Sequence, residues 1–205
     1  AYRTLQVGSV GINGSTGTVL GRTLMRLRDF ADSALSDVRI HANQQRRERV
    51  LVTAFLSEIV LAAGLQAESR GMQFTVEAVD PGWIIEADPQ LLATAVTNLV
   101  NNAFQYSDAG GQVTLRARDE NGRLLIKVED QCGGLPAFTA DPFKPFGDRR
   151  GRDRTGLGLG LSIARQAVKA HGGDIEIHNR PGQGCTFAVA VPLASGAVPL
   201  SLGAT

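Results

Sequence analysis

Residues 88–107 read "DPQLLATAVTNLVNNAFQYS", and the fold is decided by how this stretch is read. Asp88 followed by Pro89 predicts a helix start, a side-chain cap and then a residue whose missing N–H costs nothing at the first position. From there to about Tyr106 the apolar residues Leu92, Ala95, Val96, Leu99 and Ala103 share one face. Asn98, Asn102 and Tyr106, each four residues apart, form a stripe beside that face. Asparagine is a poor helix former because its amide competes with the backbone. Two of them in mid-helix need a reason: they bond a neighbouring loop, or they hold a ligand or a hydrated Mg²⁺ ion.

On the N-terminal side, "RVLV" (49–52) is strand-like, and Thr53 is placed to cap a helix to about Ser69 carrying Leu56, Ile59, Val60 and Ala63. "MQFTVEAV" (72–79) and "WIIEA" (83–87) read as strands flanking a "DPG" turn. On the C-terminal side, "QVTLRARDENGRLLIKVED" (112–130) is a hairpin with an Asn-Gly turn at 121–122. Gly160, Ile163, Ala164, Ala167, Val168 and His171 line one face of a later helix that Gly172 stops. "DIEIHN" and "CTFAVAVPL" form a last hairpin. Runs of antiparallel strands with helices between them predict an α+β fold, an α/β sandwich in which a mixed, mainly antiparallel sheet is covered on one face by helices.

Further upstream, Leu20, Leu24, Leu27, Ala31, Ala34 and Val38 alternate in steps of four and three, the seam of a bundle or coiled-coil helix over 16–40. Residues 1–7 are expected to end a preceding helix, with "GSVGINGSTG" as the turn, so that 1–40 is a truncated helical hairpin. A main domain over 41–193 and a disordered tail over 194–205 complete the expected division.

The chain has 205 residues, 43% of them hydrophobic, which is ample for a core. Its formal charge of +1 excludes the basic footprint of a nucleic-acid binder, so no nucleic-acid partner is expected. The arginines cluster locally, at 46–49 and 149–154. No apolar run approaches the roughly 20 residues of a membrane span. Two distant cysteines, Cys132 and Cys185, without metal-ligand spacing fit a reducing cytoplasm. The chain opens "AYRTLQ" with no initiator methionine, which reads as a cut inside a longer polypeptide.

Two further stretches carry candidate chemistry. In "GRDRTGLGLGLSI" (151–163), Gly156, Gly158 and Gly160 alternate with Leu157 and Leu159 ahead of a helix. Either a turn needs unusual dihedrals there, or the backbone comes close to a ligand such as a phosphate. No glycine in the chain precedes a lysine, so a G-x-x-x-x-G-K-[ST] loop is excluded, and the spacing fails G-x-G-x-x-G. In "VEDQCGGL" (128–135), Asp130 at a strand end is followed by two glycines. That is an ordinary turn exit, or an acceptor for an exocyclic amine beside a backbone that Gly134 leaves open to a flat ring.

Asn98 and Asn102, Asp130 in "VEDQCGGL", Phe143 and Phe146 in "FKPF", the "GLGLGLSIARQAVKAHGG" run and "GQGCTFAVAVP" follow one another in an order and spacing that resembles the asparagine, first-glycine, phenylalanine and second-glycine boxes of the sensor histidine kinases of two-component signalling. The resemblance covers residues 48–192, and the helix at 16–40 is similar to the second helix of that family's dimerisation and phosphotransfer hairpin. It implies ATP and Mg²⁺ as cofactors, with Asn102 on the metal and Asn98 beside it near the phosphates. Tyr106 counts with them in the nucleotide site. Asp130 would read the adenine amine and Gly134 would floor the base pocket. Phe143 and Phe146 would anchor a lid whose Arg149, Arg150, Arg152 or Arg154 reaches the phosphates. Gly156, Leu157, Gly158, Leu159 and Gly160 would present backbone N–H groups to them. The family also implies that Cys132 and Cys185 flank one pocket.

The resemblance further implies phosphoryl transfer to a histidine on the chain's own upstream helix, then to an aspartate of a response regulator receiver domain. It implies a homodimer in the full-length protein, soluble or membrane-anchored, with this domain in the cytoplasm. His41, His171 and His178 all lack the pattern of a phosphoacceptor box, so the accepting histidine is expected upstream of Ala1, and no residue here is assigned a catalytic role. Gyrase-like and chaperone ATPases of this fold place a water-activating glutamate four residues before the metal-binding asparagine. Here that place is Asn98, whose amide is no general base. Cys132 replaces a usual glycine and Gln105 a usual lysine or arginine, so a degenerate nucleotide-binding or scaffolding domain without phosphotransfer is the alternative.

Overall fold

The computed structural model describes residues 46–108, 110–135, 141–144 and 159–194. The expected hairpin at 1–40, His41, Phe146, the arginines at 149–154, Gly156, Leu157, Gly158 and the tail from 195 onward lie outside the described residues.

In chain order the elements are β1 (Glu48–Leu51), α1 (Val52–Ser69), β2 (Gln73–Val76), β3 (Ile84–Ala87), α2 (Pro89–Tyr106), β4 (Gln112–Glu120), β5 (Arg123–Glu129), α3 (Gly160–Ala170), β6 (Asp174–Arg180) and β7 (Gly184–Pro192). Among the described residues five strands form one sheet in the order β2-β4-β5-β7-β6. Of these neighbours β2 and β4 run parallel and the others antiparallel. The sheet is therefore mixed and mainly antiparallel, as the sequence predicts.

Period-two alternation turns Val113, Leu115, Leu124, Ile126, Val128, Phe187, Val189 and Val191 inward, where they share one core with the helices. The opposite face carries ion pairs such as Arg116 Nε to Glu77 Oε1 at 3.2 Å and Lys127 Nζ to Glu120 Oε1 at 3.0 Å. α2 is the central helix, packed between α1 and α3 and onto β4 and β5. It buries Leu91, Leu92, Ala95, Val96, Leu99, Val100, Ala103 and Phe104. Each large aliphatic among them contributes about 1.5–3 kcal/mol of transfer free energy. The ring of Phe104 meets Phe74 of β2 edge to face, with centroids 5.6 Å apart.

The cap expected at α2 is present: Asp88 Oδ1 accepts from Leu91 N at 3.0 Å. Asn121 and Gly122 close the β4–β5 hairpin with φ of +57° and +77°, the primed turn that Asn-Gly favours. Two expectations need correction. α1 starts at Val52, not after a Thr53 cap: Leu51 is the N-cap and makes no side-chain bond, while Val52 N donates to the Trp83 carbonyl at 3.0 Å. A carbonyl just ahead of β3 thus satisfies the first N–H of the helix. Strands do flank the Asp80–Gly82 turn as expected, β2 and β3, and they lie in different sheets, since β3 pairs antiparallel with β1. Ala194 does not begin a loose tail; its N–H donates to Ile84 O at 2.8 Å, joining the small sheet to the end of β7.

Candidate functional site

The site begins with the alternation of β5. Leu124, Ile126 and Val128 point inward, and the next inward position, just past the strand, is Asp130, only 5% exposed. A buried carboxylate needs donors. Oδ1 accepts from the backbone N–H groups of Cys132 and Cys185, both at 3.0 Å, and Asp130 N donates to Cys185 O at 2.9 Å. Both backbone bonds fall on one oxygen. Among the described residues no backbone N–H is directed at Oδ2.

The approach of β7 to Asp130 depends on Gly184, where an added Cβ would stand 1.9 Å from the Asp130 carbonyl oxygen. Gly134, at φ +92°, is held as closely: a Cβ there would lie 2.9 Å from Asn179 Oδ1 and 3.0 Å from Pro181 Cα. Asn179 pins the following residue from both sides, accepting from Leu135 N at 2.8 Å and donating to Leu135 O at 3.1 Å. The loop after β5 is thus sewn to the β6–β7 turn, and Gly134 has a packing reason of its own.

The two cysteines meet here as expected, Sγ to Sγ at 3.4 Å. The Cys132 thiol is pushed well above the ordinary thiol range, first by burial and then by its hydrogen bond to Asp130 and the carboxylate charge. It is a protonated thiol at neutral pH.

A second group of candidates lies where α2 meets α3. A Cβ on Gly160 would stand 3.7 Å from Asn98 Cγ and Oδ1, so the half-buried Asn98 amide sits against the first turn of α3. Asn102 and Tyr106 follow along α2 by about one and two turns, half-buried and exposed respectively. Leu159 is the N-cap of α3 and makes no side-chain cap bond. First-turn N–H groups of α3 therefore receive no help from their own N-cap residue. Of the two phenylalanines, Phe143 packs against the core, and the Arg165 guanidinium of α3 lies 4.9 Å from its ring centroid.

Sequence reasoning missed Gly184, the Cys185 amide, Asn179 and the His171 contact. Asn179 reads as the end of the strand "DIEIHN" and Gly184 as part of "GQGCTFAVAVP"; nothing local says that the turn between them folds onto the end of β5. His171, expected only to line a helix face, accepts from Asp88 N through Nε2 at 3.0 Å. That bond links the C-terminal end of α3 to the N-cap of α2.

Residues 87–195 match the family described as histidine kinase-, DNA gyrase B- and HSP90-like ATPase. The chain is 34% identical over 129 residues to the alginate biosynthesis sensor protein KinB of Pseudomonas aeruginosa, covering 62% of this chain and 22% of that one. It is 32% identical over 176 residues to the circadian input-output histidine kinase CikA of Synechococcus elongatus, covering 84% and 21%. It thus spans about a fifth of these relatives' length. Among solved structures, full-length ShkA in complex with AMPPNP superposes with a TM-score of 0.68 at 26% identity, over 84% of this chain and 38% of that one. The catalytic domain of the histidine kinase ThkA gives 0.64 at 23%, over 72% and 95%, a likeness of fold.

With that fold and those relatives, this chain belongs to the histidine kinase-, DNA gyrase B- and HSP90-like ATPase family. Within it, the relatives that the chain resembles here are a sensor protein and a histidine kinase. Among the described residues no helix is long and apolar enough to cross a membrane.

Proposed function

We propose that the chain is the catalytic domain of an ATP-dependent protein histidine kinase, which positions Mg-ATP for transfer of its γ-phosphoryl group to a histidine elsewhere in the full-length protein. The observation that carries this reading is Asn98. It stands against the N-terminal turn of α3, where a phosphate would lie, and its amide supplies no base to activate water. Hydrolysis is disfavoured there, whereas transfer to an imidazole needs chiefly a well-placed nucleotide.

The residues fit an adenine nucleotide. Asp130 takes its two backbone donors on Oδ1 and a further hydrogen bond from the Cys132 thiol, and the remaining acceptor capacity of its carboxylate suits the amine of a base. The first turn of α3, from Gly160, which takes no side-chain cap bond from Leu159, suits phosphate oxygens, and the Asn98 and Asn102 amides offer neutral oxygens to a hydrated Mg²⁺. Mg²⁺ would neutralise phosphate charge, and the chain's own contribution is to orient the nucleotide and its metal. Phe143, held beneath Arg165, would anchor the segment that follows it, whose Phe146, Arg150 and Arg154 belong to the same proposed site, together with Gly156, Leu157, Gly158 and Leu159. Acceptance by His171 is disfavoured, because both its ring nitrogens are engaged. A response regulator aspartate as the next acceptor, dimerisation of the full-length protein and a cytoplasmic position for this domain complete the proposal.

The test uses γ-labelled ATP with the full-length protein and, separately, with this chain. Acid-labile label on a histidine of the full-length protein, with Mg-ATP bound but no label on this chain, is expected. Tight Mg-ATP binding without transfer in either would instead favour a nucleotide-binding scaffold. Absence of binding would overturn both.

A further inference from the structure

The proposed nucleotide site does not account for the chemistry beside Asp130. A carboxylate oxygen of Asp130, Cys132 Sγ and Cys185 Sγ lie within 4.8 Å of one another, two of the residues buried and Cys132 partly exposed. We propose that Asp130, Cys132 and Cys185 form a binding site for a thiophilic divalent cation of the zinc type.

Three observations favour this. First, the donor set is two sulfurs and one carboxylate, which suits a borderline-soft ion rather than Mg²⁺ or Ca²⁺. Second, the spacing is close to what coordination requires. Two thiolates about 2.3 Å from a tetrahedral ion stand about 3.8 Å apart, near the 3.4 Å found, whereas a disulfide requires about 2.05 Å. Third, the ligands are already held: two backbone N–H groups fix the Asp130 carboxylate, and Gly184 lets β7 bring Cys185 against it. Cys132 gives the ion a way in from solvent, and a three-ligand set leaves one position open.

Binding is balanced as one M²⁺ and two thiols giving one bis-thiolate complex and two protons released to solvent, with no change of oxidation state. The surroundings that disfavour a lone thiolate, a carboxylate charge and little water, are those that a dication offsets. Resting on the proposed function, the same Asp130 carboxylate serves both ligands, so the ion and the adenine base exclude each other.

The probe is Co²⁺ added to the nucleotide-free chain in a phosphine reductant. One equivalent should give a thiolate-to-cobalt charge-transfer band and the intense visible bands of a tetrahedral site. About two protons should be released per ion, and Zn²⁺ should erase the spectrum. Cys132→Ala should abolish the charge-transfer band while the far-ultraviolet circular dichroism stays unchanged; Cys185→Ala is the second variant. No such band with the folded, reduced chain, or a band that survives Cys132→Ala, would overturn the site. So would finding that the pair reacts only by joining into a disulfide after oxidation. The link to nucleotide is read apart from this: at free Zn²⁺ about ten times its own Kd, exclusion raises the apparent Kd of Mg-ATP about eleven-fold. A cobalt spectrum with unaltered ATP affinity would keep the metal site and remove Asp130 from the base pocket.

Discussion

Asp88 N–H donates to His171 Nε2 at 3.0 Å, while His171 Nδ1 meets the Ala167 carbonyl at 2.7 Å. The ring therefore carries its proton on Nδ1 and is neutral, since Nε2 must accept. Asp88 is also the cap of α2, and its Oδ2 accepts from Arg46 N at 3.2 Å. The Arg47 guanidinium bonds the Ala170 carbonyl at the end of α3. The buried imidazole thus joins the N-cap of α2 to the last turn of α3, and Arg46 and Arg47, just ahead of β1, bond the same two helix ends beside it.

Protonation of that imidazole is disfavoured in the folded chain: burial first, and then the Arg47 charge, hold its pKa below the ordinary 6.5. Well above pH 6.5 neither state binds the proton and stability is insensitive to this group. As pH falls below 6.5 the unfolded chain takes up a proton that the folded chain refuses, so stability drops, by at most about 1.4 kcal/mol per pH unit, until the folded pKa is reached. Denaturant midpoints from pH 7.5 to 5 should show the fall, and His171→Gln should flatten it. An equal slope in that variant would remove His171 as its source.

Gly160→Ala separates a folding role from a ligand role. A methyl group there meets Asn98 at an ordinary 3.7 Å, so the fold accommodates it. Replacing glycine in a helix should raise stability by about 0.4–1 kcal/mol through the unfolded chain. If the phosphates approach this backbone, Mg-ATP affinity should fall while the melting temperature rises. A rise in both would remove Gly160 from the phosphate site.

At Asp130 the obvious alanine variant confuses two effects. Removing the carboxylate strands the Cys132 and Cys185 amides, each costing about 1–3 kcal/mol when buried and unpaired. Asp130→Asn keeps an acceptor for both. It should hold most of the stability and still weaken Mg-ATP binding about ten- to a hundred-fold, the loss of a charge-assisted hydrogen bond. Calorimetric titration beside a thermal melt distinguishes the outcomes; unchanged affinity would count against base recognition.

Gly184→Ala should be far more damaging than any glycine change in a turn. Its Cβ would sit 1.9 Å from Asp130 O and 2.8 Å from Asp130 C, both backbone atoms with no rotamer to escape through. A loss of several kcal/mol, or failure to fold, is expected, against about 1 kcal/mol at Gly182, which has open space but a positive φ of +78°. Comparable melting temperatures for the two variants would contradict the close approach of β7.

The sequence by itself determined the element types and the boundaries that local chemistry controls. The Asp88-Pro89 start of α2, the Asn121-Gly122 hairpin and the inward alternation of β5 up to Asp130 each rest on residues adjacent in the chain, whose dihedral and hydrogen-bond preferences act over a few positions. The motif order also made the family legible. Tertiary structure alone decided that β2 runs parallel to β4 while β3 leaves the main sheet for β1. It alone decided that Val52 finds its partner at Trp83, that Asn98 rests on Gly160, and that Cys185 and Gly184 close over Asp130. Those pairings join residues 31 to 62 positions apart, and they are settled by which faces must be buried together and which buried polar groups must find a donor. Neither requirement leaves a mark in any short window of sequence.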